Sequence, residues 1–379
     1  MLQTFGKGDL LTKEQANIRL GLIGTGNIGR THLTAFLALR EAGLLDLDIT
    51  GICDIDEDSL QSAAELFDVD NVFTDYGELI AHEETDLVYI CTPTNRHSDM
   101  VKAAARARKP LFCEKPLAHS APQAGELLAV TNDAKVPAAV GLVLRYDQFF
   151  VYAKHLLENH DFGAPMMAHI RDDQRFPVDY IYYSKWRGNR SIAGGGTLIE
   201  HSIHDIDILR WFFGEVESLT ATIGFYSGRE VEDHASIIMK HTDGAVTTLD
   251  SVWHWVERPN ERSVEFFFEK GYIGIRLESA KRYLDYHLQG RGPVRVWPET
   301  ANNVLLKSLG FEENGLSPEA SETLTSVGTE RYAALDYAFL KSVQEKTAFS
   351  PDFRDAFAAH RIVDAAYNAA DSKKWIDLT

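Results

Sequence analysis

Short apolar runs alternate with longer amphipathic stretches through the first part of the chain. The runs Ile18–Ile23, Asp48–Cys53, Leu87–Cys91, Pro110–Cys113 and Ala138–Leu142 have the length and β-branched content of buried strands. Between them, over Ile28–Ala42, Ser59–Leu66, His97–Ala107 and Ala121–Thr131, apolar positions recur at helical spacing. Strands alternating with helices in this way predict a parallel, doubly wound sheet over residues 18–145.

The pattern changes after Arg145 and Tyr146. One helix, about Phe149–Glu158, leads into longer alternating segments at Met166–Gln174, Ser218–Tyr226, Asp233–His241, Ala245–Trp255, Arg262–Glu269 and Tyr272–Leu277. Thr242-Asp243-Gly244 and Lys270-Gly271 read as hairpin turns. Residues 146–379 are therefore expected to form an α+β domain on a large, mostly antiparallel open sheet. In Val264–Phe268 both faces are apolar, which suggests helices on one side and a second subunit on the other. Two helices, Glu330–Gln344 and Asp352–Ser372, close the chain, and residues 289–328 read as irregular. Residues 1–17 are polar and mixed and are expected to be a flexible tail.

Composition narrows the class of protein. The net charge is −18, which repels nucleic acid and anionic membranes. No run of about 18 apolar residues is present, so no membrane span is expected. Cys53, Cys91 and Cys113 form no CxxC pair, which favours buried packing roles in a reducing compartment, by default the cytoplasm.

Gly24-Thr25-Gly26-Asn27-Ile28-Gly29 matches GxGxxG, after a strand and at the start of a helix. That context predicts a dinucleotide site, with the pyrophosphate at the helix amino terminus. Asp54 ends the second strand, 30 residues beyond Gly24, a longer interval than the usual ~20. A carboxylate there accepts the ribose hydroxyls of NAD. It opposes the extra phosphate of NADP by about 4 kcal/mol at a separation of about 4 Å and an effective dielectric of about 20. NAD is therefore the expected cofactor. Asp56, Glu57 and Asp58 read as capping residues of the next helix. Thr92, Pro93, Asn95 and His97 follow the next apolar strand and are placed on the same ligand edge.

Glu114-Lys115-Pro116 follows another strand end. The proline keeps Lys115 extended, so an amine on rigid backbone stands near the cofactor. Later, Gly194-Gly195-Gly196 precedes a helical pattern from Thr197 to a stop at Gly214, with Ile199, Ile203, Ile206, Leu209 and Phe213 as its buried stripe. Glu200 and His204 are four apart and are expected to be neighbours on its flank, with Asp207 also in reach of His204. A carboxylate beside an imidazole suits general acid–base work; the alternative is a solvated polar flank. Metal ligation by Glu200, His201 and His204 is disfavoured, because two histidines at i,i+3 make a poorer pair than HExxH.

Together the glycine loop, Glu114-Lys115-Pro116 and the triple-glycine segment with Glu200 and His204 resemble the glucose–fructose oxidoreductase/inositol dehydrogenase (Gfo/Idh/MocA) family, over nearly the whole chain from about Asn17. The resemblance implies NAD-dependent oxidation of a sugar or polyol hydroxyl, with Lys115 and His204 as the acid–base pair. The family's usual acid four before the histidine is aspartate, and here it is Glu200. Lys185-Trp186-Arg187 resembles a substrate loop, so Trp186 and Arg187, with Arg145, Tyr182 and His201, are expected to bind substrate. The resemblance also implies a homodimer or homotetramer. Two other outcomes stay open: an enzyme that retains NAD for glycoside cleavage, epimerisation or elimination, and a non-enzymatic NAD-bound sugar sensor.

Overall fold

The structure is a computed structural model that describes residues 17–181, 184–278, 281–312, 315–325 and 331–378. The tail expected over residues 1–17 lies outside these except for Asn17. Six strands form a wholly parallel sheet: β1 (Ile18–Ile23), β2 (Leu47–Cys53), β3 (Val72–Phe73), β4 (Leu87–Ile90), β5 (Leu111–Cys113) and β6 (Ala138–Val140), in the order β3-β2-β1-β4-β5-β6. Helices α1 (Asn27–Glu41), α2 (Glu57–Phe67), α3 (Tyr76–Ala81), α4 (His97–Arg106) and α5 (Ala121–Ala134) connect them. Helices on both faces explain why β4 and β5 are continuous apolar runs and why β1 is buried throughout except at Arg19. The strand order reverses between β1 and β4, which opens a crevice beyond their carboxyl ends. Asp56 caps α2, its carboxylate accepting from the Ser59 N–H at 3.0 Å, as the run of acids there predicts.

Helix α6 (Gln148–Asn159) leads to the second sheet. Its strands are β7 (Pro165–Arg175), β8 (Val216–Gly224), β9 (His234–His241), β10 (Val246–His254), β11 (Glu261–Phe268), β12 (Gly271–Glu278), β13 (Lys281–Leu288), β14 (Val294–Val296) and β15 (Ile376–Asp377). They run in the order β14-β13-β12-β11-β7-β10-β9-β8-β15. Only the β7–β10 pair is parallel; the other pairs are antiparallel. The remaining helices are α7 (Arg190–Ala193), α8 (Ile203–Phe213), α9 (Pro298–Ser308), α10 (Pro318–Thr325), α11 (Arg331–Glu345) and α12 (Phe353–Ser372).

Residues 289–328 are not the irregular excursion their composition suggests, since they hold β14, α9 and α10. These helices bury little, Ala301 and Leu305 in one and Ala320, Leu324 and Thr325 in the other, so their periodic signal is thin. For the same reason β13, with only Leu284 and Leu288 buried, carries no clear strand pattern.

Helix α11 returns to the first sheet and packs on α1, placing Ala333, Leu335, Phe339 and Leu340 in one core with Leu20, Leu33, Phe36 and Phe112. A buried polar link fastens this contact. His32 of α1 is fully enclosed, with Nδ1 2.8 Å from Asp336 Oδ2 of α11 and Nε2 3.2 Å from Glu114 Oε1. Burial alone would lower the pKa of His32, but the carboxylates of Asp336 and Glu114 outweigh it and raise the value to about 9. The folded protein therefore holds this proton more tightly than the unfolded chain. The stability it contributes, about 3 kcal/mol, is complete below the ordinary histidine pKa of about 6.5 and is lost as pH rises through about 9. Urea unfolding between pH 6 and 10 tests this: wild type should lose stability more steeply with pH than His32→Gln, whereas parallel curves would contradict the link.

Candidate active site

One cavity of about 1220 Å³ runs from the glycine loop across the carboxyl ends of β1 and β4 into the second domain. That is more than the ~300–1000 Å³ of a drug-sized site and leaves room for a dinucleotide and a small second ligand.

At the first-domain end, Gly24, Gly26, Asn27, Ile28 and Asp54 line the cavity. Helix α1 starts after Gly26 with no side-chain cap and no acid in its first turn. Its first N–H groups therefore keep their capacity to bind an anion. A side chain at Gly26 would meet nothing within 4 Å, so the turn is open for a pyrophosphate. Gly29 does not line the cavity. Its part is close packing, since a Cβ there would stand 1.8 Å from the Gly24 carbonyl oxygen. Asp54 Oδ2 accepts from the Thr25 N–H at 2.7 Å and the Thr25 hydroxyl at 3.0 Å, and Oδ1 accepts from the Asp56 N–H at 3.0 Å. The carboxylate is thus fixed at the cavity wall. These residues fit a dinucleotide.

Thr92, Pro93 and Asn95 line the cavity beyond β4, but His97 does not. His97 is buried, with Nε2 2.9 Å from the Thr92 carbonyl and Nδ1 3.1 Å from the Pro116 carbonyl. Burial lowers its pKa, so the ring is neutral at pH 7 and donates to one of these carbonyls at a time. It braces the loops after β4 and β5 against each other and does not face the cofactor space.

Glu114 and Lys115 follow β5, and the Lys115–Pro116 peptide is cis. The Glu114 carboxylate accepts the Lys115 N–H at 3.0 Å on one oxygen and faces His32 with the other. Lys115 Nζ reaches across to the second domain and donates to the Glu200 carbonyl at 2.6 Å. Burial lowers the Lys115 pKa, the Glu200 carboxylate opposes that, and Arg187 adds to it.

The segment after the three glycines is not the regular helix its periodicity suggests. The Ser202 N–H donates to the Thr197 carbonyl five residues back, making one wide turn over Thr197–His201 before α8 begins. Gly196 permits it: a Cβ there would lie 1.8 Å from the Glu232 carbonyl oxygen, which accepts the Thr197 N–H at 2.9 Å. The wide turn breaks the four-residue register that would pair Glu200 with His204. The Glu200 carboxylate accepts instead from Arg187 Nε at 3.0 Å and the Thr94 hydroxyl at 3.3 Å. His204 is buried and lines the same cavity as Lys115. Asp207, expected within reach of His204, is 2.5 Å from Arg145 Nη2.

That pair also corrects the expectation for Arg145. It is not at the cavity wall; its guanidinium is buried between Asp207 of α8 and Asp355 of α12, where it joins the end of the first domain to two helices of the second. Trp186 and Arg187 do line the cavity, with the Arg187 guanidinium 4.6 Å over the Trp186 ring. His201 lines it too, with Nε2 2.9 Å from Asp172 Oδ2. Tyr182 lies outside the described residues. The sequence reading missed His32, Asp336, Asp172 and Arg262. His32 could have been found three positions after Gly29 on the buried stripe of α1, whereas Asp336 is 304 residues from its partner and has no local signal. No group of three or more His, Cys, Asp or Glu among the described residues is arranged to hold a metal ion.

Comparison with known proteins places this geometry. Residues 18–142 match the family model of the oxidoreductase family with an NAD-binding Rossmann fold, and residues 150–274 match the GFO/IDH/MocA C-terminal domain. Myo-inositol 2-dehydrogenase of Thermotoga maritima is 32% identical over 264 residues, 68% of this chain and 74% of the relative. Inositol 2-dehydrogenase of Rhizobium meliloti is 26% identical across 95% of this chain and 99% of its own. Among solved structures, levoglucosan dehydrogenase in complex with NADH superposes with a TM-score of 0.84 at 23% identity, covering 96% of this chain and 100% of that one. A nucleotide loop, a lysine after β5 and a second-domain histidine meeting at one cavity, carried on both matched domains, make this chain a member of the Gfo/Idh/MocA family of NAD-binding oxidoreductases.

Proposed function

We propose that this dehydrogenase oxidises a secondary hydroxyl of a sugar, polyol or sugar derivative, with NAD preferred over NADP. The observation that carries the reading is that Lys115 and His204 border one cavity with the glycine loop, and that the Lys115 ammonium is aimed by a hydrogen bond 2.6 Å long to the Glu200 carbonyl. NAD, held at α1 and Asp54, supplies the hydride acceptor when bound. Lys115 donates to the substrate oxygen and stabilises the negative charge that grows there. His204 takes the hydroxyl proton. Glu200 serves as an anchor: with its carboxylate held by Arg187 and Thr94, its carbonyl keeps Lys115 extended into the cavity. Trp186 and Arg187 offer an aromatic face and donors to the ring hydroxyls.

The charges at this end favour a neutral substrate. Arg187 is matched by Glu200, Arg262 by Asp172 and Asp205, and Arg282 by Asp147. A sugar acid or phosphate that drew on one of these guanidinium groups would have to break its pair with a buried carboxylate. The related inositol and levoglucosan dehydrogenases are named for uncharged substrates.

The second sheet also supports self-association. Phe267 of β11, Met167 of β7 and Val246 of β10 stand side by side in register on its outer face, all substantially exposed, with Ile238 of β9 exposed nearby. Tyr272 and His287 on one flank and Lys240 on the other complete a row with an apolar centre and polar ends. A second copy of this chain would cover it in a homodimer or homotetramer. The three cysteines are free and buried, which suits a reducing compartment, and the cytoplasm is the proposed location. No helix among the described residues is long and apolar enough to cross a membrane.

Three experiments test these readings. Lys115→Ala and His204→Gln should each lower kcat by about 10²–10⁴-fold while NAD affinity by calorimetry stays within about threefold; near wild-type turnover would remove the assigned role. NADH released at each turnover separates a dehydrogenase from an enzyme that retains its cofactor. Met167→Lys with Phe267→Lys should reduce the mass by light scattering to that of one chain, and an unchanged oligomer would rule this face out.

A further inference from the structure

The cavity holds a second imidazole that the proposed chemistry does not use. His201 ends the wide turn, lines the same cleft as Lys115 and keeps 24% of its side chain exposed. Its Nε2 is 2.9 Å from Asp172 Oδ2 on β7. The Asp172 carboxylate is nearly fully buried, and the same oxygen accepts from Arg262 Nη2 at 2.9 Å. Arg262 on β11 is itself fixed by Asp205 of α8, at 2.6 and 3.2 Å. The ring is therefore oriented by a carboxylate that has no freedom of its own. An imidazole held in this way by a buried acid presents its other edge with a defined direction and tautomer.

Its position says what that edge meets. Lys115 Nζ is bonded to the carbonyl of Glu200, the residue immediately before His201, so amine and imidazole are mounted on adjoining peptide units. A ring polyol whose reacting oxygen is bound by Lys115 brings the oxygen on the next carbon toward the neighbouring residue. We propose that His201 is a second substrate-contacting group, which binds the hydroxyl on the carbon next to the one oxidised. The substrate class is then a vicinal diol, and Asp172, Arg262 and Asp205 are positioning residues for the ring. This inference rests on the oxidation of a polyol proposed above and adds the requirement for the neighbouring hydroxyl.

The test uses the full-length protein with NAD and whichever of myo-inositol, levoglucosan or D-glucose reduces it fastest. The comparison substrate is the analogue lacking the hydroxyl next to the oxidised carbon, which is identified by NMR of the product. Wild type should prefer the diol by about tenfold in kcat/KM, the scale of one hydrogen bond to an otherwise unpaired polar group. In His201→Phe that preference should fall to about one, through a higher KM for the diol with kcat changed less than about threefold. Asp172→Asn should lose part of the same preference, and His201→Asn, which keeps a polar group of smaller size, serves if the phenylalanine variant does not fold. An unaltered preference would overturn the inference. So would an equal loss on both substrates, which would mean the ring supports the fold or acts on the reacting oxygen. A wild type inert toward every polyol with NAD and with NADP would overturn the proposed oxidation and this inference with it, whereas wild-type turnover with an unchanged preference would overturn this inference alone.

Discussion

An ammonium withdrawn from water must be given hydrogen-bond acceptors or a counter-charge. In this protein the acceptor is the Glu200 carbonyl, 2.6 Å from Lys115 Nζ and on the opposite domain. The rest of the site is arranged to keep these two atoms together. On the lysine side, Glu114 holds the Lys115 N–H and is itself held by His32. On the carbonyl side, Arg187 and Thr94 hold the Glu200 carboxylate while Gly196 lets the chain pass close to Glu232. The hydrogen bond thus spans the two domains at the wall of the cavity.

Buried charge is managed by pairing throughout. The chain carries a net −18, and Arg187, Arg262 and Arg282 at the cavity are each matched to a carboxylate, while the buried Arg145 and His32 each face two. Such pairs add modest net stability, but leaving one member alone is costly, so they specify which elements meet. Arg145 fixes α8 and α12 to the end of the first domain, and His32 fixes α11 to α1. The connection from β6 to α6 is thereby held by side chains from distant parts of the sequence.

What could be read from the sequence follows from how local each signal is. Strands β4 and β5, and β1 from Leu20, are buried on both faces, so their runs carry no charged residue, and the GxGxxG turn lies within a few residues of β1. Asp56 was legible as a cap because capping involves neighbours. Strand β3, with two residues, and α3, with six, are too short to show a period. The Glu200–His204 pairing assumed a regular helix, and the wide turn after Gly196 depends on Glu232, which no local pattern announces. Arg145 was expected at the substrate on the family resemblance alone; its buried partners, 62 and 210 positions away, decide otherwise. Lys115 and His204 stood out in the sequence as candidates, while their shared cavity needed the structure.

The central claim is that Lys115 and His204 act together on one substrate oxygen beside the bound cofactor. A crystal structure with NADH and a polyol tests it most directly. The account predicts one hydroxyl oxygen within hydrogen-bond distance of both Lys115 Nζ and a His204 ring nitrogen, its carbon facing the nicotinamide. A polyol bound with that carbon out of reach of either side chain would contradict it.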